Sequence, residues 1–239
     1  MENGEVASQP AVQTLVTHVS ESLQPKEMAP DAFPFLLTEG IDDANLAVYQ
    51  RNQAHLTRMG TTLTAALVTD STAYIAHVGD RRCYLFRGPE GLSQITEDHS
   101  LVAALAAAHM IKPEEMYTHP RRSVIYRCLG AKRRVQVDTY TVPLIAGDTL
   151  LLCSDGLWGM VRDPQIEAIL SSAAHDHSHL AHALIQAALA EGGEDNISAI
   201  VVQVLYQEND TTHKPEKQDW RHAGEERLRG LFDRHRMKA

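Results

Sequence analysis

The chain has 239 residues, 44 % of them hydrophobic, which is enough for one large domain with a real core or a domain with appendages. Its net charge of -9 argues against general attraction to a phosphate backbone, and no apolar run approaches the ~20 residues a membrane span needs. Cys83, Cys128 and Cys153 share no CxxC spacing and read as reduced thiols of a cytoplasmic protein. The opening MENGEVASQ has neither the basic region nor the apolar core of a signal peptide.

Two helices are expected first. Val12, Leu15, Val16, Val19 and Leu23 recur at helical spacing within 6–23, and Pro25 and Pro30 mark a loop. Asp31 to Gln53 repeats the pattern behind a Pro-Asp entry. The period then changes. Thr61–Thr69 and Thr72–Gly79 form a hairpin candidate around Asp70-Ser71. Arg82–Arg87 and Leu92–Thr96 follow across tight turns, so this run is expected to be an antiparallel meander. Ser100 can cap a helix to His109, with Pro113–Tyr117 as a short second piece. Arg133 to Val142 alternates like a strand with one wet face. Leu150–Cys153 is a buried strand, Asp163–Leu170 and Ser178–Ala190 are helices, and Ile197–Tyr206 is the last strand. The cluster HDHSH, 175–179, reads as a polar interhelical loop, with a metal site as the alternative. The order implies an α+β fold with helices on sheet faces.

From His213 the composition shifts. Eight Lys or Arg stand against five acids, and Trp220, Leu228, Leu231 and Phe232 make a thin apolar stripe. This basic tail is expected to be helical and to fold back on its acidic domain, or else to dock on a partner or membrane surface.

Two stretches carry the chemistry. LLLCSDGLW, 150–158, reads as a strand that stops on Ser154, Asp155 and Gly156, and GGEDNIS, 192–198, as a glycine-rich turn with Asp195 before another strand. Each Asp alone can simply shape a turn. If the two strands are antiparallel neighbours, however, both carboxylates share one end of the sheet. Two close carboxylates repel unless a cation sits between them, and Mg²⁺ or Mn²⁺ suits such oxygen ligands.

Six ordered motifs then resemble a known family. They are Gly60-Thr61-Thr62, HVGDRRCYLFR (77–87), TEDHSLV (96–102), HPRRSVIYRCLG (119–130), SDGLW (154–158) and GGEDNIS. The chain is similar over Gly4 to about Tyr206 to the metal-dependent protein serine/threonine phosphatases of type 2C, the PPM family, in its bacterial form. The resemblance implies a sandwich of two antiparallel sheets flanked by helices, over residues 1–207, with 208–239 as a charged tail. It implies hydrolysis of phosphoserine and phosphothreonine by metal-activated water, with Mn²⁺ or Mg²⁺ as cofactor. Phosphoproteins would be the substrates and a Ser/Thr kinase a further partner. By family position Asp155 and Asp195 would ligate one metal, and Asp80 would join Asp155 at a weaker third site. Asn196 would orient its loop beside Gly156. His119, Arg121, Arg122 and Arg127 match the flap that contacts substrates.

Two departures accompany the likeness. The GDSR turn of the family reads GDRR here, with Arg81 in place of Ser. The family's opening strands, with the bridging Asp, its glycine carbonyl, an outer acid and a phosphate-binding Arg, find no counterpart, since Gly4–Ser8 resembles the helix that follows them. This implies impaired hydrolysis by this chain alone and an uncovered sheet face or edge. The alternative is an inactive pseudophosphatase that binds phosphoproteins or a kinase.

Overall fold

The computed structural model describes residues 4–23, 28–172 and 179–205, all within the unit Met1–Leu205. The charged tail and most of the HDHSH cluster lie outside the described residues.

Helix α1 (Gly4–Ser22) buries Ala7, Ala11 and Leu15, one stripe at a spacing of four. Against it lies α2 (Phe33–His55), entered through a 3₁₀ turn at Pro30–Ala32. The helices cross closely at Gly40, where a Cβ would come within 2.6 Å of Leu15 Cδ1. The opposite side of α2 covers a three-stranded sheet of β1 (Leu63–Thr69), β2 (Thr72–Val78) and β5 (Asp138–Pro143), in the order β1-β2-β5 and antiparallel throughout. Ile41, Ala44 and Val48 share a core there with Tyr74, Ala76 and Val78.

The second sheet has the order β4-β3-β6-β7, again antiparallel, from β3 (Arg82–Arg87), β4 (Gly91–Gln94), β6 (Thr149–Cys153) and β7 (Ala199–Gln203). Helices α5 (Asp163–Ser172) and α6 (Leu180–Ala190) cover it, with Ile166, Leu170 and Leu184 packed against Tyr84 and Leu151. The alternate residues Ala73, Ile75, Cys83, Leu85 and Leu150 are buried too, so the central strands of each sheet are covered on both faces, as in a sandwich. Each fully buried Leu or Ile in these layers stabilises the fold by roughly 1.5–3 kcal/mol. Helix α3 (Leu101–Ala107) follows Ser100, whose hydroxyl accepts from Ala103 N at 3.2 Å.

Two expectations are corrected. The strands from Thr61 to Thr96 are not one meander: β1-β2 and β3-β4 are hairpins in different sheets, and the chain crosses between them at Gly79–Arg81. Gly79 sits at φ 122°, where an added Cβ would strike Thr62, so the crossing needs glycine. The strand expected from Arg133 begins only at Asp138, because its partner β2 ends opposite, at the His77↔Asp138 pair. Among the described strands β7 stands at a sheet edge, and its Ile200 is 61 % exposed. The three cysteines are free thiols. Among the described residues no helix is long and apolar enough to cross a membrane.

Candidate metal centre

Strand register decides which side chains meet. Arg82 of β3 pairs with Cys153 of β6, and Cys153 pairs in turn with Ala199 of β7. Asp80 precedes Arg82 by two residues, Asp155 follows Cys153 by two, and Asp195 precedes Ala199 by four. Antiparallel pairing therefore brings all three acid-bearing loops to one rim of the four-stranded sheet.

The Asp155 and Asp195 loops are sewn together. Ser154 N donates to Ser198 O (3.1 Å), Ser154 Oγ donates to Asn196 O (3.0 Å), and Ser198 N donates back to Ser154 Oγ (3.0 Å). The backbones approach so closely at Gly156 that a Cβ there would lie 2.4 Å from Asn196 O. Asp155 opens the short helix α4 (Asp155–Trp158), where the first-turn amides favour its negative charge. Asp195 is exposed and accepts from Asn196 N at 2.7 Å.

Asp80 is held from the other side. Its carbonyl accepts from Trp158 Nε1 at 3.0 Å, and the Arg82 guanidinium lies 3.7 Å over the Trp158 ring. Arg82 is itself buried and forks onto both oxygens of Asp98. Burial disfavours the Arg82 charge, but Asp98 and Tyr84 outweigh that and keep the guanidinium protonated.

Electrostatically the rim is strained. Burial, then the charges of Asp155 and Asp98, push the Asp80 carboxyl up from 3.8 to about 7. Asp155 is raised as well, mainly by burial, with Asp195 adding to the rise and Arg81 opposing it. A divalent cation would remove this repulsion. Among the described residues no group of three or more His, Cys, Asp or Glu is arranged to hold a metal. Pairs of carboxylates do fit a hard cation that keeps much of its water.

The flap residues separate into two sets. Arg121 N donates to His119 Nδ1 (3.1 Å) on the surface, and Arg122 Nη2 reaches Glu194 Oε2 (3.2 Å), one residue before Asp195. Arg127 instead donates to Asp138 Oδ1 at 2.8 Å and lies 2.9 Å from His99 Nε2. Sequence reasoning missed Glu194, Trp158, Arg82, Asp98, His99 and Asp138 as parts of this machinery. Asp98 and His99 stood in TEDHSLV, but nothing local said that they face Arg82 and Gly79.

The family model for protein phosphatase 2C matches residues 1–200. The chain belongs to the protein phosphatase 2C family. It is 40 % identical over 202 residues to the serine/threonine phosphatase stp of Listeria monocytogenes, covering 84 % of this chain and 79 % of that enzyme. The crystal structure of the Mycobacterium tuberculosis serine/threonine phosphatase PstP/Ppp superposes with a TM-score of 0.74 at 34 % identity, covering 85 % of each chain. A further structure, the PstP catalytic domain in complex with two manganese ions, matches with a TM-score of 0.73 at 33 % identity, over 84 % of this chain and 82 % of that one. Serine/threonine phosphatase function, the two-sheet α+β fold and phosphoprotein substrates are those of this family.

Proposed function

We propose that the rim around Asp155 is the hydrolytic centre of a serine/threonine phosphatase that works with Mn²⁺ or Mg²⁺. The observation that carries this is the register Arg82–Cys153–Ala199, which gathers Asp80, Asp155 and Asp195 at one end of a sheet. Asp155 and Asp195 would hold one cation, and Asp80 with Asp155 a weaker one. When bound, the cation supplies charge neutralisation and an activated water. The protein's own part is positioning. Ser154 locks the two acid loops, Asn196 orients the second of them, and Trp158 fixes Asp80. His119, Arg121 and Arg122 line the flap side, where cationic groups suit a phosphoprotein. Residues 1–207 form the phosphatase domain in this reading, 208–239 an appended tail, and the setting is the cytoplasm.

No third ligand joins the Asp155–Asp195 pair among the described residues, so we infer loose metal binding and slow turnover by this chain alone. The same observation favours a second reading, a pseudophosphatase that binds phosphoproteins or a Ser/Thr kinase through the flap. Mn²⁺-dependent hydrolysis of p-nitrophenyl phosphate separates the two. Slow hydrolysis that needs Mn²⁺ and is lost in Asp155→Asn supports the enzyme, whereas no hydrolysis with retained phosphopeptide binding supports the binding module.

A further inference from the structure

His99 lies between the flap and the Asp80 turn and is bonded to both. It is 2 % exposed. Its Nδ1 accepts from Gly79 N at 2.9 Å, and its own amide donates to Gly79 O at 2.7 Å. Because Nδ1 is an acceptor, the ring proton sits on Nε2 and points to Asp138 Oδ2 at 3.0 Å. The other oxygen of Asp138 accepts from Arg127 at 2.8 Å. Burial alone would raise the Asp138 carboxyl, but His99 and Arg127 hold it down at about 2.

The backbone repeats the tie. His99 O accepts from Tyr126 N (3.0 Å), Leu101 N donates to Val124 O (2.8 Å), and Ser100 bridges Ile125. A second imidazole completes the cage: His77 Nε2 lies 3.0 Å from Gly79 O, with its ring centroid 4.8 Å from that of His99. Every polar backbone group of Gly79 is thus held by a histidine, and Asp80 follows directly.

We propose that the His99–Asp138–Arg127 unit is a positioning device that seats the Gly79–Asp80 turn through the base of the flap. Arg127 then acts through Asp138 and the imidazole instead of on the phosphate. Its consequence for a cation at Asp80 rests on the phosphatase reading, whereas its consequence for the turn does not.

Arg127→Gln tests both, since Arg127 sits at the edge of the network with 16 % side-chain exposure and is not itself one of the buried core residues. Residue-resolved amide exchange in the full chain should show Gly79 speeding up by about tenfold or more relative to Leu151, a sheet-centre amide. Arg127→Lys, which restores a cation against Asp138, should bring Gly79 back to within about threefold of the parent ratio. The dissociation constant of the weaker Mn²⁺ site, the one with Asp80, measured by calorimetry in Arg127→Gln, should rise by about tenfold, as for other residues that orient metal ligands. Equal acceleration at Gly79 and Leu151, or none at Gly79, overturns the proposal. So does faster Gly79 exchange with an unchanged Mn²⁺ constant, which would leave the unit a mere strut. If the parent chain binds no Mn²⁺, the phosphatase reading falls and the exchange ratio alone decides this one.

Discussion

The two turns that carry Asp80 and Asp195 do similar work by opposite means. In the Gly79–Arg81 turn Gly79 is buried and Asp80 and Arg81 are half-buried, and His77, His99 and Trp158 bond its backbone from three sides. The Gly192–Ser198 loop is largely exposed, and among the described residues Ser154 fastens its Asn196 and Ser198. Burial has a cost, visible in the Asp80 carboxyl raised to about 7, whereas Asp195 sits in water. The rim thus combines a carboxylate held at an electrostatic cost, Asp80, with one that stays open to water, Asp195.

Changes at the buried turn should be the larger. Gly79→Ala forces a side chain into φ 122° and onto Thr62, and should destabilise the fold by about 2–5 kcal/mol in urea denaturation. Acid should attack the same cage. Burial, helped by His99, holds His77 at about 3, against 6.5 in the unfolded chain. Below pH 6.5 the unfolded chain takes up a proton that the folded one refuses, so stability should fall by up to about 1.4 kcal/mol per pH unit toward pH 3. Asp138, held at about 2 against 3.8, adds a loss as pH falls from 3.8 toward 2. Denaturation midpoints that stay flat between pH 7 and 4 would contradict this.

The exposed loop should respond less. Ser154→Ala removes two hydrogen bonds at the seam and should cost about 1–3 kcal/mol, with the Ser198 amide losing protection first. Arg122→Ala breaks an ion pair whose side chains are 53 % and 65 % exposed, and should change thermal stability by less than about 1 kcal/mol. A larger loss would mean that the flap is anchored there and not at Arg127.

The difference between the turns also explains what was legible in the sequence. The Asp155–Asp195 half was readable because each acid ends or precedes an apolar strand run, LLLC or AIVV, and turn residues mark the rim. Antiparallel pairing of those runs did the rest. The Asp80 half was readable only as a motif. Two of its supports, Arg127 and Asp138, lie 28 and 39 residues after the third, His99, and meet it only through tertiary packing. The crossing at Gly79 was hidden for a similar reason, since alternation along a strand does not say which sheet it joins. The strand expected from Arg133 was overextended because its pattern persists after its partner has ended, while Asn45 takes up the carbonyls of Lys132 and Arg133.

Calorimetric titration of Mn²⁺ into the full chain and into Asp155→Asn and Asp195→Asn asks most directly whether these side chains share a cation. The parent should bind Mn²⁺, and each substitution should abolish or greatly weaken that binding, because neither carboxylate suffices alone. Binding of unchanged strength in either variant would contradict the shared site and the hydrolytic centre built on it.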